Sequence, residues 1–306
     1  MAIILFQNLK KFNFLKILFI ISTTFLQFCS TNTENLNLNK DPVFLKNETF
    51  NKIVDFTDVR ETYLMEPAII ENEVNSALFF ANCNFNDSII AFKQGIENVN
   101  IVKFDKPVSF YNCTFDKSIN FRQAYFDDNV YFLNCVFKDE VHFEGVNFNS
   151  SQIVFKESKF EKMARFTSSK FKGDVHFTNC TFDSTAKFNN CKFYGLADFS
   201  VVKFKEKTDF STILTYEHIK FNYSEFTDKV ILTGINAKDD ISLVSIKVFK
   251  NFIFTDNKVM GKISLKNADI KGVAKLTNNM AFLIDTTGMK TGELEYSENL
   301  EILKEK

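Results

Sequence analysis

Among the 306 residues, those best suited to chemistry are five cysteines, Cys83, Cys113, Cys135, Cys180 and Cys191, and three histidines, His142, His176 and His218. Thiolates and imidazoles bind soft metals and serve as nucleophiles or bases. Their spacing argues against such a role. There is no CxxC pair and no His beside a Cys, and with Cys29 near the N-terminus set apart the five that remain, an odd number, are no disulfide framework. Neither an HExxH motif nor a Gly-rich phosphate loop is present, and no Ser/His/Asp grouping can be assembled. Acidic runs occur at 126–128 (FDD), 138–140 (KDE) and 238–240 (KDD), but they recur at one kind of position and read as solvated turns rather than paired catalytic carboxylates. No catalytic residue, metal ligand or cofactor is therefore assigned.

One set of charges is less easily dismissed. Arg165 and Lys187 are 22 residues apart, as are Lys170 and Lys192. If the chain repeats at that interval, each pair stacks like charges, which is unfavourable unless something neutralises them. The chemistry on offer is an anion site, formed by Arg165, Lys170, Lys187 and Lys192 with His142 extending one column, for an acidic glycan, a lipid phosphate or an acidic partner. The bland alternative is neutralisation by corner acids such as Asp174 and Asp183. Charge balance is of no help: 37 Lys and Arg stand against 38 Asp and Glu.

The elements that position these residues follow from phenylalanine, of which there are 39, with no Trp. Two interleaved series each have a period of eleven. One passes through Phe110, Phe121, Phe132 and Phe143, and continues from Phe155 to Phe221 before turning to leucine. The other passes through Phe104, Phe115, Phe126, Phe137 and Phe148, continues from Phe160 to Phe204, and lapses at Thr215 and Ala237. A single extra residue near Asn149–Gln152 shifts both together. Two places before each Phe sits an aliphatic or small residue, such as Val130 or Cys135. On a helix, residues two apart point about 200° from each other and cannot share a face. On a strand they do share one. The pattern therefore predicts very short strands separated by tight corners, about 22 residues per coil if four strands make a turn. Cys113, Cys135 and Cys180 then fall on one inner face and Cys191 on the opposite one, in slots elsewhere filled by Ala124 and Ser158, as small core residues. His142 and His176 come to lie on opposite sides of the rod.

The recurring tripeptides CTF, AYF, CVF, CKF, VHF and ADF resemble the pentapeptide repeat family, over about two thirds of the chain. The alternating steps of five and six residues are those of a Phe-rich, eleven-residue variant. The resemblance implies an all-β fold, a right-handed four-sided β-helix. It also implies little about activity, because members are mostly non-catalytic scaffolds, and the best-known group mimics DNA to bind a topoisomerase.

The chain ends read differently. Lys10, Lys11 and Lys16 precede an apolar run from Ile17 to Phe28, short for a membrane span and suited to an export signal or signal-anchor over 1–29. Residues 26–29 (LQFC) resemble a bacterial lipobox, which would make Cys29 a lipidation site, although Phe28 departs from the small residue usual there. The expected organisation is a polar tether and N-terminal cap at 30–75, the β-solenoid at 76–281, and a short amphipathic cap helix within 282–306 carrying Tyr296, Leu300 and Leu303. The functional expectation is a non-catalytic scaffold exported to the cell envelope of a bacterium. It would be membrane-associated through its N-terminus and would engage a protein or anionic glycan. A DNA mimic needs a strongly acidic surface, so with a net charge of −1 a nucleic-acid enzyme is a less suitable partner. A glycan-cleaving β-helix would need a carboxylate cluster in a side groove, and none can be built.

Overall fold

The computed structural model describes residues 42–57, 62–66, 69–96 and 98–301. The expected export signal, Cys29 and the tether up to residue 41 lie outside the described residues. The described chain is all β and winds as a parallel solenoid. One coil shows the construction: Val108–Tyr111, Thr114–Phe115, Ile119–Asn120 and Tyr125–Phe126, followed by Val130–Leu133 directly beside the first. Each coil thus contributes to four columns, headed here by Val108, Phe115, Ile119 and Phe104. The Val108 column is an 11-stranded sheet and the Phe104 column belongs to a 13-stranded one. The Phe115 and Ile119 columns merge into a 20-stranded sheet, because Asp269–Thr277 runs through their shared corner. Between Val108 and Ile284 the rungs of the first column are 21 to 23 residues apart.

Strands of two residues are stable here because their backbone groups pair with the coils before and after; Phe188 N–H, for example, donates to Asp209 O at 2.8 Å. The side-chain alternation does the rest. Phe110, Phe132, Phe155, Phe177 and Phe199 are fully buried and stack at centroid distances of 4.8–5.1 Å, the strand spacing itself. Neighbouring columns meet edge-to-face, as Phe166 and Phe177 do at 5.2 Å and 84°. Each buried ring contributes roughly 1.5–3 kcal/mol, and each well-placed ring pair about 0.5–1.5 kcal/mol more.

The corners have a rule that the Phe pattern does not reveal. The residue before each inward small residue lies in the left-handed region: Asn112 (φ 53°), Gln123 (54°), Asn134 (53°), then Asn179 and Asn190 (61° each). Asn tolerates that conformation, which explains its recurrence. Val201, at φ 59°, holds the same corner against its β-branch. Asn side chains also link coils there: Asn134 Nδ2 donates to Asn112 Oδ1 at 3.0 Å, and Asn112 Nδ2 to Asn82 Oδ1 at 2.9 Å.

The extra residue at 149–152 is a widened corner. Phe126 pairs with Phe148 and Val130 with Ile153, so one residue is gained between them. Ser150 turns inward, and its hydroxyl donates to Gln152 O at 3.2 Å. The next coil passes so close that a Cβ on Gly173 would lie 2.2 Å from Ser151 O.

Coil stacking begins earlier and ends later than the expected 76–281. Val43–Lys46 already pairs in parallel with Leu78–Ala81, and hairpins interrupt the first coils: Thr62–Glu66 against Ile69–Val74, and Phe92–Gln94 against Val99–Phe104. The cap helix is corrected outright. Lys290–Ser297 is a strand parallel to Asp269–Thr277, Leu300–Glu301 pairs with Met280–Ala281, and no helix occurs among the described residues. Leu303 lies outside them. Tyr296 and Leu300 do repeat at a helical interval, but the free edge of the previous coil offers every backbone group a partner. A single short amphipathic helix is marginal against that. An Asn ladder fixes the register: Asn257 Nδ2 and Asn279 Nδ2 each donate at 2.9 Å to the next Asn Oδ1, ending on Asn299.

Candidate functional site

The cysteines stand where the repeat places them. All five described cysteines are free and buried, and Cys113 and Cys135 occupy one rung position in successive coils. Their thiols point at backbone carbonyls, Cys113 Sγ to Phe80 O at 3.5 Å and Cys135 Sγ to Phe110 O at 3.4 Å. Burial pushes the Cys180 thiol up to about 12 and raises that of Cys191 as well. The neighbouring Cys135 raises Cys113 to about 12. Thiols held so far from ionisation supply packing, not nucleophiles.

The histidines are separated. His142 lies in the Ile119 column, His176 in the Val108 column and His218 at the corner leading into that column. The coil step brings His218 against an acidic corner: its Nδ1 is 2.7 Å from Asp239 Oδ2 and its Nε2 3.6 Å from Asp240 Oδ2. Glu217, His218 and Asp239 each offer one ligand atom within 4.8 Å of the others, a geometry a divalent cation could use. As they stand, the two ring nitrogens of His218 face the Asp239 and Asp240 carboxylates.

The four cations fall into two columns on different sheets. Arg165 pairs in register with Lys187 and, on its other side, with His142. Lys170 pairs with Lys192. The first column is neutralised at its head. Arg165 Nη1 donates to Glu140 Oε2 at 2.6 Å, and Arg122 Nη2 reaches Glu144 Oε1 at 3.4 Å and His142 Nδ1 at 2.7 Å. The hydrogen bond from Arg165 holds the Glu140 carboxyl below the usual range. Burial pushes Glu144 up, but contact with His142 and the charge of Arg122 outweigh it and bring it down. The neutralising acids are thus Glu140 and Glu144, not Asp174 and Asp183. Asp174 accepts from Leu196 N–H, and Asp183 pairs with Lys159 and Lys205. Lys170 and Lys192 make no ion pair among the described residues.

Two residues beside this second column escaped the sequence reading. Tyr194 and Tyr216, each following an inward residue of the Phe104 column, are exposed and stacked at 4.9 Å and 8°. The signal was the same 22-residue interval, applied to an outward position rather than an inward one.

A solenoid with a closed aromatic core, short parallel rungs and chemistry confined to its outer columns is a repeat scaffold by construction. Residues 102–147 and 143–192 match the family model described as pentapeptide repeats (9 copies). Residues 102–192 thus carry pentapeptide repeats, as the tripeptides indicated. No curated protein and no solved structure matches the chain.

Proposed function

We propose that this protein is an exported scaffold of the bacterial cell envelope that works by presenting its outer columns to a partner, not by catalysis. The observation that carries the reading is the division of labour across each rung. Inward residues are rings and small groups that close the bore, and the five described thiols are among them. Outward residues stand in straight files at the strand spacing, an arrangement suited to engaging a regular or extended partner. The coil is taken as right-handed and four-sided, each column forming one flat side, which gives the rod distinct faces. The Lys-rich, apolar N-terminus would supply export and hold the rod at a membrane, through Cys29 if that residue is lipidated. The partner is a protein or an anionic glycan, and the cation-bearing columns are the surfaces on which to look for it.

The test is in-cell crosslinking with the tagged full chain, combined with fractionation. Recovery in the membrane fraction with a specific envelope protein or glycan is the expected result. A soluble cytoplasmic chain that captures a nucleic-acid enzyme would replace this reading with the DNA-mimic one. Turnover of an acidic glycan by the purified chain would replace it with an enzyme.

A further inference from the structure

Two corner files on the solenoid differ in how they handle charge. The file after the Phe115 column mixes signs, Asp116, Lys138, Glu161, Asp183 and Lys205 in order, and pairs them: Lys138 with Asp116 at 2.8 Å, Lys205 with Asp183 at 2.8 Å, and Lys159 with Glu161 at 2.7 Å and Asp183 at 3.1 Å. That is how stacked charges are ordinarily accommodated. Along the Phe104 column the corner file carries no acid between Lys172 and Phe282. Lys172, Tyr194, Tyr216 and Lys238 follow one another coil by coil, each bonded through its backbone to the coil before. Lys170 and Lys192 flank them two residues earlier, on the outside of the same sheet. None of these four lysines makes an ion pair among the described residues. The nearest corner acids are engaged elsewhere or lie around the bend: Asp174 bonds Leu196 N–H, Asp239 bonds His218, and Glu217 stands beside that histidine.

The geometry points to this file, Lys170, Lys172, Lys192, Tyr194, Tyr216 and Lys238, as a binding site for an acidic polysaccharide lying along the solenoid axis. The proposal rests on the scaffold reading above and names its ligand class. Lys170 over Lys192 repeats the ammonium at the coil step, and Lys172 and Lys238 stand at the two ends of the tyrosine pair; cations strung along the axis match carboxylates repeated along a linear chain and suit a polymer better than an isolated anion. The tyrosines favour this ligand over the nearest rival. Single-stranded nucleic acid is held by bases stacking on open ring faces. Tyr194 and Tyr216 are exposed but stack on each other, at 4.9 Å, so that one face of each ring is already covered. Their hydroxyls can donate hydrogen bonds to carboxylate and hydroxyl oxygens.

The test is affinity electrophoresis of the full chain in gels containing polygalacturonate, with dextran as the neutral control and oligo-dT as the nucleic-acid control. The expected result is retardation by polygalacturonate alone, weakening as salt rises. Lys170→Glu with Lys192→Glu should lower the affinity at least tenfold, and Tyr194→Phe with Tyr216→Phe several-fold, with unchanged circular dichroism. Arg165→Ala with Lys187→Ala should leave it within about twofold. Equal retardation of wild type and the lysine variant, no retardation of wild type, or stronger retention by oligo-dT would each overturn the proposal. If polygalacturonate does not retard the wild type, yet envelope capture in the crosslinking experiment is equal for wild type and the Lys170→Glu/Lys192→Glu variant, the scaffold reading stands and this site does not.

Discussion

Arg165 over Lys187 and Lys170 over Lys192 are built by the same 22-residue step, with a phenylalanine behind each cation, yet they are different surfaces. Arg165 meets Glu140, which stands 25 residues earlier at the corner before His142, and Glu144 adds a second carboxylate nearby. Lys170 stacks below Asn147 and above Lys192, and Lys192 stacks on Leu214. Register alone makes a column. Its charge is decided by what neighbouring coils place within reach, and that changes from one side of a corner to the other.

The largest way to break the comparison is beneath the columns. Phe166, behind the Arg165 column, stacks on Phe143 and Phe188 and meets Phe155 and Phe177 edge-on. Phe171, behind the Lys170 column, stacks only on Phe148 and Phe193 among the described rings. Alanine at either should cost about 3–5 kcal/mol, with Phe166→Ala the more severe. Urea denaturation of both variants checks the order; equal losses would mean that the edge-on contacts contribute nothing.

A smaller break affects one column alone. Gly173 lies at the corner beyond Lys170 and Lys172, under the widened turn, where an added methyl meets the Ser150 and Ser151 carbonyls. Because those atoms are backbone, Gly173→Ala should destabilise by about 1–3 kcal/mol. It should also weaken polygalacturonate retention while leaving the Arg165–Glu140 pair intact. A control outside both columns should move the other way. Val201→Asn relieves a β-branched residue held at φ 59°, and thermal melting should show a gain of about 1 kcal/mol.

The smallest effect is electrostatic. The Glu140 and Glu144 carboxyls are held below their ordinary value of 4.5 in the folded chain. Their contribution is therefore complete above about pH 4.5 and is lost as pH falls through the lower folded values. Because the groups are partly exposed, the loss should stay under about 1 kcal/mol. Denaturant titrations between pH 3 and 7 should show a shallower acid decline in Glu140→Gln/Glu144→Gln than in wild type. Lys170→Gln/Lys192→Gln, which removes no carboxylate contact, should follow the wild-type slope.

Much of this was legible because the repeat is strict. Period two within a strand and eleven between strands dictate which side chains face inward, so Phe110, Cys135 and Ala164 could be assigned to the core without coordinates. The one-residue shift at 149–152 was visible as a simultaneous slip of two series. The left-handed corners were only partly legible, because Asn112 and Asn134 signal them but Gln123 and Val201 do not. The C-terminal strand was misread for a physical reason. Tyr296 and Leu300 satisfy a helical interval locally, and only the preceding coil, with unpaired backbone groups on its edge, makes a strand the better solution.

The sequence by itself determined the solenoid, its coil length and the fate of the cysteines, since all three follow from which residues alternate and how often. The tertiary structure alone decided that Arg165 is neutralised by Glu140, that His218 meets Asp239, and that Tyr194 and Tyr216 stack on each other. Those contacts lie between coils and across corners, where side-chain reach and direction, rather than interval, set which groups meet.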